Sequence, residues 1–395
     1  MSHHHHDRMT TGPARTGPTR RTALCGGLAL AGLTACRDAS GTSPVPESGT
    51  LTTSAPTRSI LASASAPPRT VGFDTRRLNG LEKAAEALPQ LHSLMVARDG
   101  EVALERSFRG PGLDRPANIK SASKTVLATV AGLAISKGIL DGLDQAVAPL
   151  LAQLPGGAPP DADPRVAAVT IEHLLSMRAG LQSTSGRNYG AWAVSSDPVR
   201  HALTRPMVDR PGGAMIYSTG TSHLLSAALT VAGGRSTLAL ARGLLGDPLG
   251  ISIPAWPRDP KGIFYGGNDM LLSPRDLFAF GELHRRGGRV GGAQLLDPAW
   301  IADAWTPRGR SRWSGDGYGL GWWLRRVRGE KGSHDVRYAW GYGGQMLFVV
   351  PDLGVTAVML SESDPSRTRR GHAHSLHALL RDHVIPAAEA GAGEA

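Results

Sequence analysis

The stretch IKSASKTVLATVAGLAISKGILD, Ile119 to Asp141, decides how the rest of the chain is read. It places a serine, Ser121, three positions ahead of a lysine, Lys124. Residues at that spacing share a helix face, so the amine lies beside the hydroxyl. A serine at a helix N-terminus also turns its backbone N–H toward developing negative charge. A lysine serves as a base only where desolvation or a neighbouring cation lowers its pKa. The following residues supply such burial: Val126, Leu127, Val130, Leu133 and Ile135 make the helix apolar nearly all round. The same four residues also read as a capping serine and a solvated first-turn lysine, and patterns this short recur by chance.

Outward from this helix the pattern changes twice. Upstream, LHSLMVARDGEVALERSFRG (Leu91 to Gly110) reads as a β-hairpin around Asp99-Gly100, a two-residue turn signal. Downstream, helical and loop segments continue to about Gly250. SPRDLFAFGELHRRGG (Ser273 to Gly288) has a serine cap, proline at the first helical position and a glycine stop. Strand patterns then return in YGLGWWLRRV, VRYAWGYGGQMLFVVPD and GVTAVMLSES, and a last helix is expected from about Ser366 to Val384. Strands at both ends of a helical middle predict an α+β fold: one antiparallel sheet assembled from distant segments and flanked by helices. The mostly helical region is inserted at about 112–260, and the cleft falls between it and the sheet.

The N-terminal part reads differently. MSHHHHDR is tag-like and is set apart from the fold. Arg20 and Arg21 precede a short apolar run, Thr22 to Ala31, too short to span a bilayer permanently and consistent with an export signal. Twin-arginine and Sec export both accommodate the arginine pair. The run ends in Leu33-Thr34-Ala35-Cys36, which resembles the lipobox of bacterial lipoproteins. That resemblance implies lipidation at Cys36 and a membrane anchor, with the domain at the outer face of the cytoplasmic membrane or in the periplasm. The Ser/Thr/Pro-rich residues 37–69 read as a tether, 70–388 as the folded domain and 389–395 as a tail. The only other cysteine, Cys25, lies within the signal, so the domain holds no thiol for a disulfide, nucleophile or metal ligand. The net charge of +10 comes from scattered arginines without a basic block or interleaved aromatics, which argues against nucleic acid as a partner.

Two further elements carry chemistry. In PGGAMIYSTGTSHLLSAAL, Tyr217 lies in a Tyr-x-Thr triplet just ahead of an apolar helix. A phenol near a lysine loses its proton more easily and relays it to a leaving group. Its alternative is a half-buried tyrosine at a loop end. In AWGYGGQMLFVVPD, glycines flank a strand, where they admit a substrate to the backbone edge or simply mark a bulge.

These three elements, in this order, resemble the serine β-lactamase-like superfamily, which includes class C β-lactamases, penicillin-binding carboxypeptidases, related esterases and 6-aminohexanoate-dimer hydrolase. The resemblance spans about Leu91 to Leu380 and extends to TIEHLLSMRAGL, GGNDMLLSPRDLFAFG and YGLGWW. It implies that Ser121 is the acylated nucleophile, Lys124 its base and Tyr217 a proton shuttle. Gly341, Tyr342, Gly343 and Gly344 would be the sheet-edge motif that forms an oxyanion hole with the Ser121 N–H. No metal or organic cofactor is implied.

Two departures bear on substrate. Thr219 stands where β-lactamases carry an asparagine, and Trp340-Gly341-Tyr342-Gly343 stands where they carry a Lys-Thr-Gly cation. The expectation is therefore an ester, amide or peptide-like small molecule rather than a β-lactam. A D-Ala-D-Ala carboxypeptidase, a β-lactamase, or a catalytically weak cell-envelope binding protein of the same fold are the alternatives. His372, His374 and His377 in HAHSLH fall short of a metallohydrolase motif, with Leu376 where an aspartate belongs.

Overall fold

The computed structural model describes residues 71–368 and 371–391. The signal, Cys36 and the tether lie outside them. Helix α1, Thr75–Glu86, is capped by Asp74, whose side chain accepts the Arg77 N–H. Strands β1 (Leu91–Arg98) and β2 (Glu101–Ser107) form the expected hairpin, with Asp99 and Gly100 at φ of 50° and 89°. Two consecutive positive φ angles give a turn whose twist matches the strands, which is why Asp-Gly signals it.

After helix α2, Ser123–Ser136, short helices and turns lead to α3, Thr219–Gly233, capped by Ser218. Helix α4, Pro274–Arg285, starts at the Ser273 cap. Six more strands of the main sheet follow: β3 (Gly309–Arg310), β4 (Gly317–Tyr318), β5 (Trp323–Arg328), β6 (Ser333–Gly341), β7 (Gln345–Val350) and β8 (Val355–Ser361). The chain closes on α5, His372–Leu379, continued through one π-helical turn to Gly391. This helix begins later than the sequence suggested. Ser366 is instead held in a local turn by the Asp364 carboxylate, which accepts both its N–H and its hydroxyl.

The sheet is antiparallel with strand order β2-β1-β8-β7-β6-β5-β4-β3, so the N-terminal hairpin joins the C-terminal strands across the β1–β8 ladder, Leu94 opposite Met359. Both faces are covered. Met346, Phe348 and Val350 of β7 pack with Leu78, Leu81, Leu376 and Leu380 from the terminal helices. Leu347 and Val349 pack with α2, α4 and the helical region. That explains the unbroken apolar run in MLFVV, where a sheet with one wet face would alternate.

Helix α2 is buried along Ser123–Ala134, as its apolar surface requires. A two-residue ribbon pairs Ala117–Asn118 with Leu271–Leu272 and ties the entrance of α2 to the segment before α4. The α2 entrance thereby meets the end of β6, and the site forms at that junction.

Candidate active site

Ser121 lies in a 3-10 turn, Lys120–Ala122, just before α2 rather than in the α-helix itself. Lys124, in the first turn of α2, points its amine at three oxygens. They are Ser121 Oγ at 3.0 Å, the Gly267 carbonyl at 2.5 Å and Thr219 Oγ1 at 3.4 Å. Only 4% of Lys124 is exposed, and burial pushes its pKa down to about 7, with the charge of Asp269 opposing part of that fall. All three oxygens accept from the amine as placed; once neutral, it keeps two N–H groups for Gly267 O and Thr219 Oγ1 and has a lone pair available toward the Ser121 hydroxyl.

Gly267 makes this approach possible. A Cβ there would sit 3.0 Å from Lys124 Nζ and 2.6 Å from Ser222 Cβ. The preceding residue is tied to a buried pair: the Gly266 N–H donates to His223 Nδ1 at 3.4 Å, and His223 Nε2 lies 2.9 Å from Asp259 Oδ2. Asp269 in turn pairs with Lys120 Nζ at 3.2 Å and accepts from Asn118 Nδ2 at 2.8 Å. Lys120 and Asp269 both adopt left-handed backbone, φ 49° and 65°. Such angles cost non-glycine residues energy and concentrate at functional sites.

Tyr217 comes from the segment entering α3. It shares a hydrogen bond with Ser121, and its ring centroid lies 5.0 Å from Lys124 Nζ. Its ring stacks on Trp323, centroids 5.6 Å apart, and meets Trp313 edge-on at 5.8 Å. Burial pushes the phenol up to about 12. The hydrogen bond with Ser121 opposes part of that rise.

The loop Ser183–Ser185 fixes Tyr217 and Thr219. Ser183 Oγ donates to the Tyr217 carbonyl at 2.6 Å, and the Thr219 N–H donates to Ser185 Oγ at 2.9 Å. The Thr219 and Ser185 hydroxyls are themselves 3.0 Å apart. Thr219 therefore faces the lysine and the loop.

Of the sheet-edge residues, Gly341 is pressed against the nucleophile turn. A Cβ there would fall 2.2 Å from the Ile119 carbonyl oxygen. Gly343 and Gly344, φ 80° and 99°, shape the turn from β6 to β7 and face the Glu362 carbonyl and the His372 ring. Tyr342 is exposed, its hydroxyl 3.0 Å from Thr368 Oγ1.

Ser121, Tyr217 and Thr219 border a cleft of about 410 Å³ whose walls include Tyr189, Trp313, Trp323, Trp340 and Tyr342. Two histidines of HAHSLH have separate partners. His372 Nε2 bonds Ser361 Oγ at 2.8 Å, while His377 packs edge-on against Tyr338 and Phe348.

Sequence reasoning missed Ser185, Gly267 and Asp269. The hydroxyl run Ser183-Thr184-Ser185 and the Gly266-Gly267 pair were the available signals.

In comparisons with known proteins, no curated protein matches the chain. Solved structures do. EstCE1, a hydrolase with promiscuous acyltransferase activity, is 18% identical with a TM-score of 0.62, covering 80% of this chain and 99% of its own. The octameric penicillin-binding protein homologue from Pyrococcus abyssi is 18% identical with a TM-score of 0.60, covering 80% of this chain and 78% of its own. A D-stereospecific amidohydrolase from Streptomyces sp. is 18% identical with a TM-score of 0.54, covering 71% of this chain and 93% of its own. At these identities the likeness establishes a β-lactamase/transpeptidase fold. The family model described as β-lactamase matches residues 84–381, and the chain belongs to the β-lactamase family.

Proposed function

We propose that the protein is an exported serine hydrolase that cleaves an ester or amide through an acyl-enzyme on Ser121. The observation that carries this reading is the buried Lys124 amine, lowered to about 7 and 3.0 Å from Ser121 Oγ. Neutral Lys124 takes the Ser121 proton as Oγ bonds to the substrate carbonyl carbon. The oxyanion is assigned to the N–H groups of Ser121 and of Tyr342, the residue after Gly341. The proton then passes from Lys124 through Tyr217 to the leaving oxygen or nitrogen, whose bond to carbon breaks. Water, deprotonated by the same amine, releases the acid and regenerates Ser121.

Substrate class follows from what the cleft offers. Lys120 is paired with Asp269, Lys124 is the base, and the sheet edge presents Trp340 where a cation would hold a β-lactam carboxylate. The aromatic walls suit an apolar acyl group. The names of two structural neighbours, a hydrolase with acyltransferase activity and an amidohydrolase, agree with ester and amide chemistry.

The test runs p-nitrophenyl esters, short amides and nitrocefin side by side. Ester or amide turnover well above that of nitrocefin is expected, and the reverse order overturns the substrate reading.

We also propose that Cys36 carries a lipid that holds the domain at the outer face of the cytoplasmic membrane or in the periplasm. Detergent-phase partitioning that persists in Cys36→Ala contradicts the anchor.

A further inference from the structure

Four large apolar side chains are exposed among the described residues: Val194, Val208, Trp313 and Tyr342. Three of them gather at one place. Tyr342 and Trp313 line the acylation cleft, while Trp313 and Val208 line a second cavity of about 760 Å³ that shares Ser185, Gly186 and Tyr217 with it. Trp313, which borders both, is 65% exposed. Apolar surface left in water around a cavity mouth marks a contact surface.

Arginines stand around the same mouth. Arg187 and Arg312 line the second cavity, Arg210 follows its lining residue Asp209, and Arg310 lies on β3 two positions before Arg312. All four are exposed, and no ion pair among the described residues involves them. The carboxylates of this region are taken by other arginines: Glu172 by Arg178 and Arg308, Asp303 by Arg308, and Asp316 by Arg325. Asp209 is the acidic lining residue, and its carboxylate accepts the backbone N–H groups of Arg210 and Ala214 at 2.8 and 2.7 Å. It offsets one of the four positive charges. The face is also firmly built. The Val208 N–H donates to the Gly180 carbonyl at 2.9 Å, and a Cβ on Gly309 would fall 2.7 Å from Met215 Cβ, so β3 is pressed against the segment that carries Val208.

We propose that this face docks on an anionic lipid surface, with Trp313 and Val208 entering the interface and the four arginines pairing with lipid phosphates. The mouths of both cavities then open toward the membrane. A protein partner would need a matching relief of acidic groups, whereas a lipid surface asks only for apolar side chains among charges of one sign. Tryptophan favours the water–lipid boundary, and arginine gains from anionic headgroups. The docking requires neither the acyl-enzyme nor a lipid on Cys36.

The test uses the full chain with Cys25→Ala and Cys36→Ala, which removes both thiols. Val208→Cys then places one nitrobenzoxadiazole label on the proposed face, and Lys137→Cys places it on an exposed position outside both cavities. Vesicles are phosphatidylcholine alone or three parts phosphatidylcholine to one part phosphatidylglycerol, each with and without a nitroxide on the acyl chains. The label at position 208 is expected to brighten with the phosphatidylglycerol vesicles and to be quenched by the nitroxide, while the label at position 137 stays in water. R187A/R210A/R310A/R312A should weaken this binding about a hundredfold, and R187A or R312A alone about fivefold. The control R76A/R235A/R286A/R328A removes the same charge from exposed arginines outside both cavities and should have far less effect. Thermal melts accompany each variant, and the single variants decide the matter if the fourfold one does not fold. A label at position 208 that stays in water, an equal response at position 137, or equal losses from the two arginine sets overturns the proposal. A signal at position 208 that follows protein concentration rather than lipid makes the face a self-association surface and overturns it as well.

Discussion

Ser121→Ala is expected to abolish acyl-enzyme formation and to lower ester turnover by about a thousandfold or more, with the fold intact. Ser121 Oγ is the atom that Lys124 Nζ approaches at 3.0 Å and to which Tyr217 also hydrogen-bonds. No other serine in the cleft has that company. Ser185 lies on the far side of Thr219, its oxygen occupied by the Thr219 N–H and hydroxyl. A residual rate from binding and oxyanion stabilisation is expected to survive, as in other hydrolases that lose their nucleophile. The melting temperature should change little, because Ser121 is only partly buried and its side chain does not cap α2. Steady-state kinetics on a p-nitrophenyl ester, with a thermal melt beside it, checks both halves.

The second large effect concerns Lys124. Because the base must be neutral, kcat/KM is expected to climb about tenfold per pH unit on the acid side and to level off above a midpoint near 7. The sign follows from the cause. Burial disfavours the ammonium, so the proton leaves Lys124 at a pH where an exposed lysine would keep it. Tyr217, pushed up to about 12, must remain protonated and does so throughout the working range, so no alkaline limb is expected below about pH 9. Lys124→Ala should cost about a thousandfold, and Lys124→Arg should not rescue it, since a guanidinium stays protonated. Asp269→Asn is expected to move the acid limb to lower pH. Its carboxylate favours the Lys124 ammonium, and removing that charge lets desolvation act unopposed. A limb that moves upward in the Asn variant contradicts this electrostatic assignment.

How far the molecule could be read from its sequence differs between its parts, for physical reasons. The Asp99-Gly100 hairpin and α4 were legible because their signals are local. A turn needing two positive φ angles selects Asp-Gly, and a serine cap accepts an N–H three residues on. The burial of α2 was legible from its all-round apolar surface.

The surroundings of Lys124 were not. Gly267 lies 143 residues away in sequence, and Asp269, whose charge acts on Lys124, pairs with Lys120 across 149 residues. No periodicity or cap encodes a contact of that kind. Nor does sequence mark the left-handed conformation of Lys120, whose residue type is uncommon there, whereas aspartate, the type at position 269, is enriched at positive φ.

The sheet-edge glycines show both sides. Their presence signalled close backbone approach, yet only the fold separates Gly341, pressed on Ile119, from Gly343 and Gly344, which make the turn. Nor does the sequence reveal the rings of Trp323, Trp313 and Tyr318 that pack around the Tyr217 phenol.

The proposed chemistry requires Ser121 to be a nucleophile activated by a lysine that is neutral near physiological pH. The most direct test is the rate of fluorophosphonate labelling as a function of pH, with the adduct located by peptide mass spectrometry. A single adduct on Ser121 is expected, forming at a rate that rises to a plateau with a midpoint near 7. Folded protein that takes no label, a label on another residue, or a midpoint near the ordinary lysine value of 10.5 would contradict it.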